Sequence, residues 1–372
     1  MLVGSWQERF LGNEQQIIVG GAEMKGKKSL KVAGSIGLIL VLASLLLVAA
    51  PAPGTAGEKA IELRFSVQQG AKAGKYVRGH EPWAKMVEEA TRGRVKVTIY
   101  PSGSLAKAKE VYDATIGGIA DVGWIAIGHY PRRFPLTEGC TIPGTGIKDS
   151  VTGSRIIWKL YNKFPEIRAE FADVKVLTMH AFAPISIATT KVPIRALHDV
   201  RGLKIRATAG GVSMLLEAAG ASPMFMGPGD IYLNLEKGVI DGSAMGWEGH
   251  GAFGIVEIAK YFTVVPAFTG PQFVLFMNQK KWDSLPYHIQ EAIMSVSGQV
   301  ASRLYGMGDD KTSQLVMDKI RSKGAEIITL TPAEEARWRD LAKPVQDKWL
   351  ADLEAKGLPA RVVFDEMLRL VK

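Results

Sequence analysis

The feature that most constrains the fold of this chain is a regular alternation of strand and helix patterns from residue 61 onward. Residues 61–67 (IELRFSV) alternate apolar and polar side chains with the period of a half-buried strand. Residues 82–91 (PWAKMVEEAT) then place their apolar side chains on one face of a helix, and residues 94–100 (RVKVTIY) return to the strand pattern before Pro101. Strands and helices that alternate at this spacing predict an α/β protein with a largely parallel sheet.

The same alternation continues along the rest of the chain. The patterns predict further strands at residues 122–127, 174–178, 185–189, 202–207, 239–244 and 326–330, and helices at 107–116, 212–218, 230–236, 286–323 and from 332 onward. Because no repeat and no flexible linker separates these segments, we expect two α/β lobes joined by strands that cross between them. In a hinged pair of lobes the ligand binds in the cleft, at the carboxyl ends of the strands.

The composition excludes several classes of protein. Of the 372 residues, 47% are hydrophobic and 22% are charged, so the chain is neither intrinsically disordered nor collagen-like. The single cysteine, Cys140, and six widely spaced histidines exclude a disulfide framework and the common zinc motifs. The net charge of +9 is spread along the chain, which argues against a nucleic-acid partner. No Walker motif is present, and the wide spacing of the histidines offers no metal-ligand pair, so we expect no cofactor and no metal.

Residues 24–56 have the pattern of a secretory signal peptide. Four lysines precede the apolar run from Ile36 to Ala50, and small residues lead to an expected cleavage site after Ala56. The alternative is an uncleaved membrane anchor, because residues 32–50 carry no charge. The pattern predicts export, with the mature protein in the periplasm.

The expected organisation of the whole chain follows from these patterns. Translation is expected to start at Met24. The segments are then residues 1–23 upstream of the native start, 24–56 as the signal peptide, 57–180 as the first part of lobe I, 181–265 as the main part of lobe II, and 266–372 as strands and helices that return to both lobes.

An ordered set of short motifs lies between residues 191 and 242. The set comprises Pro193-Ile194, Asp199, GLKIR at 202–206, GASP at 220–223, YLNL at 232–235 and GVIDG at 238–242. Upstream, YPSGSL at 100–105 precedes a predicted helix, Gly117-Gly118 and Ala120-Asp121. The ordered set resembles the periplasmic solute-binding subunits of tripartite ATP-independent periplasmic (TRAP) transporters, of the C4-dicarboxylate-binding type, over nearly all of residues 58–372.

This resemblance implies a fold and a role. The fold is the two-lobe α/β fold of periplasmic binding proteins, with hinge-crossing strands and a long helix near the C-terminus. The role is capture of a small organic acid and its delivery to the membrane subunits of a TRAP permease. A subunit of an ABC-type transporter or a receptor for a sensor kinase would need the same lobes. A secreted enzyme is the alternative from another class, although the chain has no GxSxG elbow.

Arg206 is the leading candidate for a binding residue. It ends a predicted short strand, and the small residues at 207–211 (ATAGG) that follow it let a ligand approach. A guanidinium can hold a carboxylate with two parallel hydrogen bonds, which supplies geometry as well as charge. From the residues alone a structural or surface arginine is the favoured interpretation, whereas the resemblance implies that Arg206 binds the carboxylate of the ligand.

Two other polar side chains are candidates for the cleft. The resemblance implies a ligand contact for Gln68, in the turn after the first strand, and a solvated loop amide is the alternative. Lys107 opens a predicted helix, where a cation near the N-terminus can meet an anion. A solvated lysine is the alternative for that residue.

Aromatic side chains form the third group of candidates. Trp124 and Trp247 each follow a glycine at the end of a predicted strand, where the cleft is expected, and both can either stack on a ligand or pack in the core. Phe182 and Tyr232 are candidates with core packing as their alternative.

The chain departs from the family pattern at positions that bear on the ligand. Members that bind sialic acid carry a second arginine 20 residues before the first, and Ser186 fills that position here. A glutamate and an asparagine of those sites fall near Ala126 and Met245. With Trp124 and Trp247 nearby, the pocket is expected to be less polar than a dicarboxylate site. We therefore expect a monocarboxylate with an apolar or aromatic body, such as an aryl or branched 2-oxo acid.

Overall fold

A computed structural model describes residues 59–182 and 185–372 of the chain. The expected start at Met24 and the signal peptide at 24–56 lie outside the described residues. None of the helices in the described part of the chain is both long and apolar enough to cross a membrane.

The strands form two sheets. The strands of the described chain are β1 (Ile61–Ser66), β2 (Val95–Tyr100), β3 (Val122–Ala126), β4 (Val174–Ala181), β5 (Ile185–Thr189), β6 (Lys204–Arg206), β7 (Ser222–Met224), β8 (Gly242–Gly246), β9 (Tyr261–Val264), β10 (Gln272–Asn278) and β11 (Glu326–Thr329). The first sheet has the order β2-β1-β3-β10-β4, and the second has the order β11-β9-β5-β8-β6-β7. We call the parts of the chain built on these sheets the first and second lobes.

Helices separate most of these strands along the chain. The α-helices in the described residues are Glu81–Ala90, Val111–Ile116, Pro135–Gly139, Ser150–Lys163, Pro165–Ala169, Gly211–Ala218, Ile231–Glu236, Trp247–Ala252, Gln279–Asp283, Tyr287–Ser295, Gly298–Ser322, Pro332–Glu354 and Ala360–Val371. Short helical turns lie between them, including Tyr76–His80 before the first α-helix. The α/β architecture that the sequence predicts is therefore confirmed.

The chain crosses between the lobes at two strand pairs. It leaves the first sheet at the end of β4 and enters the second with β5, and it returns from β9 to β10. The predicted crossing strands are present, and the sheets are largely parallel as expected, with one antiparallel strand in each. β10 runs antiparallel to β3 and β4, and β5 runs antiparallel to β8 and β9, because these strands enter their sheets from the opposite end.

The predicted helix at 286–323 is interrupted and forms two helices. Tyr287–Ser295 ends before a short break, and the long helix Gly298–Ser322 follows. Ser297 is extended and accepts a hydrogen bond from Trp83 Nε1 at 3.2 Å, while Gly298 takes a φ of +52°. The break coincides with this tertiary contact. No proline marks it in the sequence, which is why the pattern predicted a single helix.

The long helix contacts both lobes. It packs on the helix Ser150–Lys163 and on β4 in the first lobe, and on the helix Trp247–Ala252 and β11 in the second. Gly306 makes the close approach to the first lobe possible, since a Cβ there would lie 2.8 Å from Val151 Cα. The long helix near the C-terminus, which the resemblance implies, is therefore present and connects the lobes.

Each sheet buries apolar side chains on both faces. In β3, Ile125 belongs to one apolar cluster, while Val122 and Trp124 belong to the cluster on the other face. In β5, Ile187 and Ala188 divide in the same way between two clusters of the second lobe. This alternation follows from the two-residue period of strand side chains. The two layered cores fix the positions of the strand ends between which the candidate site lies.

Candidate functional site

Residues from both lobes line one cavity between the sheets. It encloses about 610 Å³ of space, including the solvent at its mouth. The lining comes from the ends of β1, β3, β6 and β8, the segment around Phe182, the start of β10 and the helices after β6 and β8. The lining residues are Gln68, Gln69, Trp124, Ala126, His129, Phe182, Ile185, Arg206, Thr208, Val212, Pro228, Ala244, Met245, Gly246, Glu248, Gly249, Phe253, Pro271 and Phe273.

Arg206 brings a buried positive charge to this cavity. It ends β6 opposite Ser243 of β8, and only 2% of its surface is exposed. Its Nε and Nη2 donate to the carbonyl oxygen of Met226 at 3.3 and 3.2 Å, and no acidic side chain of the described residues pairs with it. Burial lowers the pKa of Arg206 to about 10, so the guanidinium is still protonated at neutral pH. An unpaired buried cation is costly, and an anion that entered the cavity would compensate it.

Two neutral histidines lie near this guanidinium. His129, in the turn after β3, lines the cavity, and its Nδ1 has no hydrogen-bond partner among the described residues. Burial, together with the positive charges of Arg206 and Lys109, lowers the pKa of His129 to about 3. His250 is fully buried, and its pKa is also lowered to about 3 by burial. The guanidinium is thus the charged group at this end of the cavity, and the imidazoles are neutral.

Three aromatic side chains form a wall of the cavity. The rings of Trp124 and Phe273 are stacked at 4.7 Å between centroids, and Phe182 meets Phe273 edge to face at 4.8 Å. Behind this wall, Lys75 Nζ lies 3.8 Å from the centroid of the Phe182 ring. The geometry suits an apolar or aromatic body, because aromatic faces pack well against a planar ligand.

A buried polar network holds the wall from behind. Trp124 Nε1 donates to His180 Nε2 at 2.8 Å, which leaves the proton of that imidazole on Nδ1, 3.6 Å from Asp309 Oδ2. Asp309, on the long helix, forms an ion pair with Lys75, and both residues are at most 1% exposed. Burial lowers the pKa of Lys75. This network fixes the orientation of Trp124, and sequence reasoning gave no signal for it because its members are far apart in the chain.

Two further polar side chains face the cavity. Gln68, after β1, lines it with an Nε2 that has no partner among the described residues. Glu248 is 2% exposed, and its Oε1 accepts a hydrogen bond from the backbone N–H of Lys75 at 3.3 Å. Burial raises the pKa of Glu248, and the positive charge of Lys75 partly opposes this effect. The glutamate joins the second lobe to the first.

The structure brings together four of the eight side chains proposed from the sequence. Arg206, Gln68, Trp124 and Phe182 line the cavity. Sequence reasoning missed His129, Glu248 and Phe273. Glu248 directly follows Trp247 at a strand end, which was a usable signal. Phe273 lies in a continuous apolar strand, whose pattern does not indicate which side chain meets the cavity.

The other four candidates do not line this cavity. Trp247 is 1% exposed and packs against Phe262 at 6.1 Å in the core of the second lobe. Ser186 is buried, and its hydroxyl bonds His250 Nε2 at 3.0 Å. Lys107 is exposed on the surface. Tyr232 is half-buried and packs against Gly254, where an added Cβ would lie 3.2 Å from the tyrosine ring.

The two lobes touch beside the cavity. A Cβ at Gly128 would lie 2.8 Å from the carbonyl oxygen of Ala209, so only glycine permits this approach of the two backbones. Nearby, Lys109 Nζ of the first lobe lies 4.2 Å from the centroid of the Phe225 ring of the second. These contacts, with that between Lys75 and Glu248, join the two lobes beside the cavity.

Comparison with known proteins identifies the family. The family model described as bacterial extracellular solute-binding protein, family 7, matches residues 67–352. The chain belongs to this family. Its resemblance to TRAP solute-binding proteins of the C4-dicarboxylate type is thereby confirmed. Proteins of this family are solute receptors rather than enzymes, known members are periplasmic, and TRAP receptors work with membrane permease subunits.

A curated relative and two solved structures are similar to this family 7 chain. The outer membrane transporter protein TsaT of Comamonas testosteroni is 27% identical over 77% of this chain and 84% of that protein. A marine metagenome TRAP solute-binding protein from an unidentified microbe, specific for aromatic acid ligands and co-crystallized with 3-hydroxybenzoate, is 25% identical with a TM-score of 0.80. A TRAP protein of Bordetella bronchiseptica, with bound (R)- and (S)-mandelate, is 25% identical with a TM-score of 0.78. Each structural match covers 84% of this chain and 98% of the other.

Proposed function

We propose that this protein binds an organic monocarboxylate with an aromatic or other apolar body and delivers it to a TRAP permease in the membrane. The observation that carries the proposal is the buried guanidinium of Arg206, which has no acidic partner among the described residues and opens onto the cavity. A carboxylate supplies the missing negative charge and accepts hydrogen bonds in a planar arrangement that matches the guanidinium.

The rest of the cavity favours an apolar ligand body over a second acidic group. Trp124, Phe182 and Phe273 form one continuous aromatic wall. The resemblance places Ser186 at the position of the second arginine of sialic-acid receptors, and its hydroxyl is bonded to His250. Among the described residues that line the cavity, Arg206 is the one arginine. Aromatic acids are the ligands of the similar proteins from the marine metagenome and from Bordetella bronchiseptica, which supports the same class here.

The free energies expected for these contacts are consistent with micromolar affinity. Such affinity needs about 8 kcal/mol. Charge-assisted hydrogen bonds to Arg206 contribute about 1.5–3 kcal/mol each. Burial of roughly 150 Å² of apolar ligand surface adds about 4 kcal/mol. The aromatic wall therefore contributes as much to binding as the charge.

The proposal places the protein outside the cytoplasm as a receptor without catalytic activity. The signal-peptide pattern of residues 24–56 supports export to the periplasm. The pKa of His129 of about 3 supports binding rather than acid–base catalysis, because an efficient general base has a pKa near the working pH. Membership of the family supports a TRAP permease as the partner over an ABC transporter.

Isothermal titration calorimetry with matched ligands tests this function. The protein is unfolded and refolded to remove any bound molecule and then titrated with benzoate, phenylacetate, mandelate and the corresponding neutral amides. We expect micromolar binding of at least one acid and no binding of its amide. Arg206→Met abolishes this binding, whereas Lys107→Met, which removes an exposed cation outside the cavity, leaves it unchanged. Equal binding of acid and amide, or retained acid binding in Arg206→Met, contradicts the proposal.

A further inference from the structure

Glu248 is a buried carboxyl group in the cavity that a simple monocarboxylate site does not use. It lies in the helix Trp247–Ala252 directly after β8, and 2% of its surface is exposed. Its Oε1 accepts the backbone N–H of Lys75, and no described residue donates to or accepts from Oε2. Because Glu248 also lines the cavity, Oε2 is the oxygen that remains for a ligand.

The backbone positions of Glu248 and Arg206 are separated along the second sheet. Arg206 pairs with Ser243 in the register of β6 and β8. From Ser243 to the end of the strand at Gly246 the backbone advances about 10 Å, at roughly 3.3 Å per residue, and Glu248 lies beyond that point. The lowered pKa of Arg206 is caused by burial, with no contribution from a carboxylate. Glu248 is therefore not the counter-ion of Arg206.

The described residues near Glu248 leave no unpaired cation for a second acidic group on the ligand. Lys75 forms its ion pair with Asp309, and its backbone N–H holds Glu248 in place across the two lobes. A second carboxylate on the ligand would meet Glu248 with no free cation of the described residues nearby. A neutral hydroxyl group avoids this repulsion, since it can donate to a carboxylate and accept from a carboxylic acid.

A second unpaired polar group makes the cavity more selective than its aromatic wall alone. Gln68 lines the same cavity from the first lobe, and its buried Nε2 has no partner among the described residues. Buried donors and acceptors are rarely left unpaired when a ligand is bound, because each costs free energy. The body of the ligand is therefore expected to carry a polar group in addition to the carboxylate.

We infer that Glu248 forms a second polar subsite that binds a hydroxyl group on the body of the ligand, so that hydroxylated aromatic monocarboxylates are the preferred class. This inference rests on the proposed function, because it requires the carboxylate to occupy Arg206. In this arrangement Arg206 binds the carboxylate, the aromatic wall packs against the ring, and Glu248 forms a hydrogen bond with the hydroxyl group.

Titration calorimetry of the refolded protein tests the subsite. The ligands are benzoate, its three monohydroxy isomers and the three benzenedicarboxylates. We expect at least one hydroxy isomer to bind about tenfold more tightly than benzoate, as one additional hydrogen bond provides. We also expect every dicarboxylate to bind more weakly than benzoate. If benzoate binds the wild-type protein at least as tightly as each of the three hydroxy isomers, the inference is wrong, and no variant is needed to show it.

Variants of Glu248 connect the preference to this residue. In Glu248→Met the ratio of the benzoate Kd to the hydroxybenzoate Kd is expected to fall to about one. The ratio cancels any effect on closure that both ligands share. Glu248→Gln keeps an acceptor for Lys75 and a polar group toward the cavity, so it retains the preference to within about threefold. Glu236→Met, at an exposed glutamate outside the cavity, is the matched control and retains it fully.

Failure of this inference is distinguishable from failure of the proposed function. If Glu248→Met keeps the full preference, the subsite is wrong while the carboxylate site at Arg206 stands. If no acid binds, or if Arg206→Met still binds benzoate, the proposed function fails first and the subsite fails with it. If Glu248→Met does not fold, the ligand series on the wild type and Glu248→Gln decides.

Discussion

Replacing Arg206 with methionine removes a buried positive charge for which the described residues offer no acidic partner. The side chain is 2% exposed, and burial lowers its pKa from 12.5 to about 10. At about 1.4 kcal/mol per pH unit, this lowering corresponds to about 3 kcal/mol of unfavourable free energy for the charged form. Because the folded-state pKa is below the unfolded value but above neutral pH, the guanidinium stays protonated at pH 7 and the full cost is present there.

The variant also loses favourable interactions, which limits the gain in folding stability. The carbonyl oxygen of Met226 loses two donors, and a buried acceptor without a partner costs about 1–3 kcal/mol. The balance of these terms predicts that ligand-free Arg206→Met is as stable as the wild type, or up to about 2 kcal/mol more stable. If Arg206 were a structural arginine, its replacement would instead lower the free energy of unfolding.

Equilibrium unfolding in urea of refolded, ligand-free protein measures this difference. Arg64→Met is the matched control, because Arg64 Nε bonds Asp121 at 2.9 Å and its side chain is 43% exposed. The control is expected to lose less than about 1 kcal/mol. Benzoate at a hundred times its Kd is expected to add about 2.7 kcal/mol to the wild type and nothing to Arg206→Met. A loss of more than about 2 kcal/mol in ligand-free Arg206→Met would refute the reasoning.

Two other predictions concern the pH dependence of binding and the contact between the lobes. Glu248→Gln removes the cavity carboxyl group whose pKa burial raises. In this variant the Kd of a fully ionised aromatic carboxylate is expected to change less than about twofold from pH 5.5 to 8, because His129 and His250, each with a pKa of about 3, stay neutral throughout. Tighter binding toward pH 5.5 in calorimetry would contradict this prediction. In Gly128→Ala the added Cβ would lie 2.8 Å from the carbonyl oxygen of Ala209, which hinders closure of the two lobes. The affinity for the ligand is therefore expected to fall about tenfold. Gly229→Ala, which has open space around its Cβ, is the control and is expected to bind as the wild type does.

The local patterns of the sequence were sufficient to predict the alternation of strands and helices. The period of residues 61–67 and of 94–100 placed β1 and β2 within one residue of their observed bounds. β10 was missed because all its side chains are buried, so its sequence has no alternation. Its antiparallel direction was also unpredictable, since strand direction depends on the path between lobes and not on local residues.

The sequence predicted a carboxylate-binding arginine, but the tertiary structure decided which other side chains accompany it. Trp124 and Trp247 have the same local pattern, a glycine followed by tryptophan. Trp124 lies within β3 and faces the cavity, whereas Trp247 begins a helix after β8 and is packed into the core. The local sequence does not distinguish these two outcomes, because the face on which a side chain packs is set by the neighbouring elements.

Burial and charge balance were likewise decided by the fold alone. Lys75 and Glu248 are 173 positions apart in sequence, yet a hydrogen bond joins them across the lobes. The same folding buries Arg206 without an acidic partner among the described residues, and the proposal of an anion site rests on that. The sequence determines which groups are ionisable and where strands end. Only packing determines which of these groups lose water and which find a partner, and the proposed binding site rests on that difference.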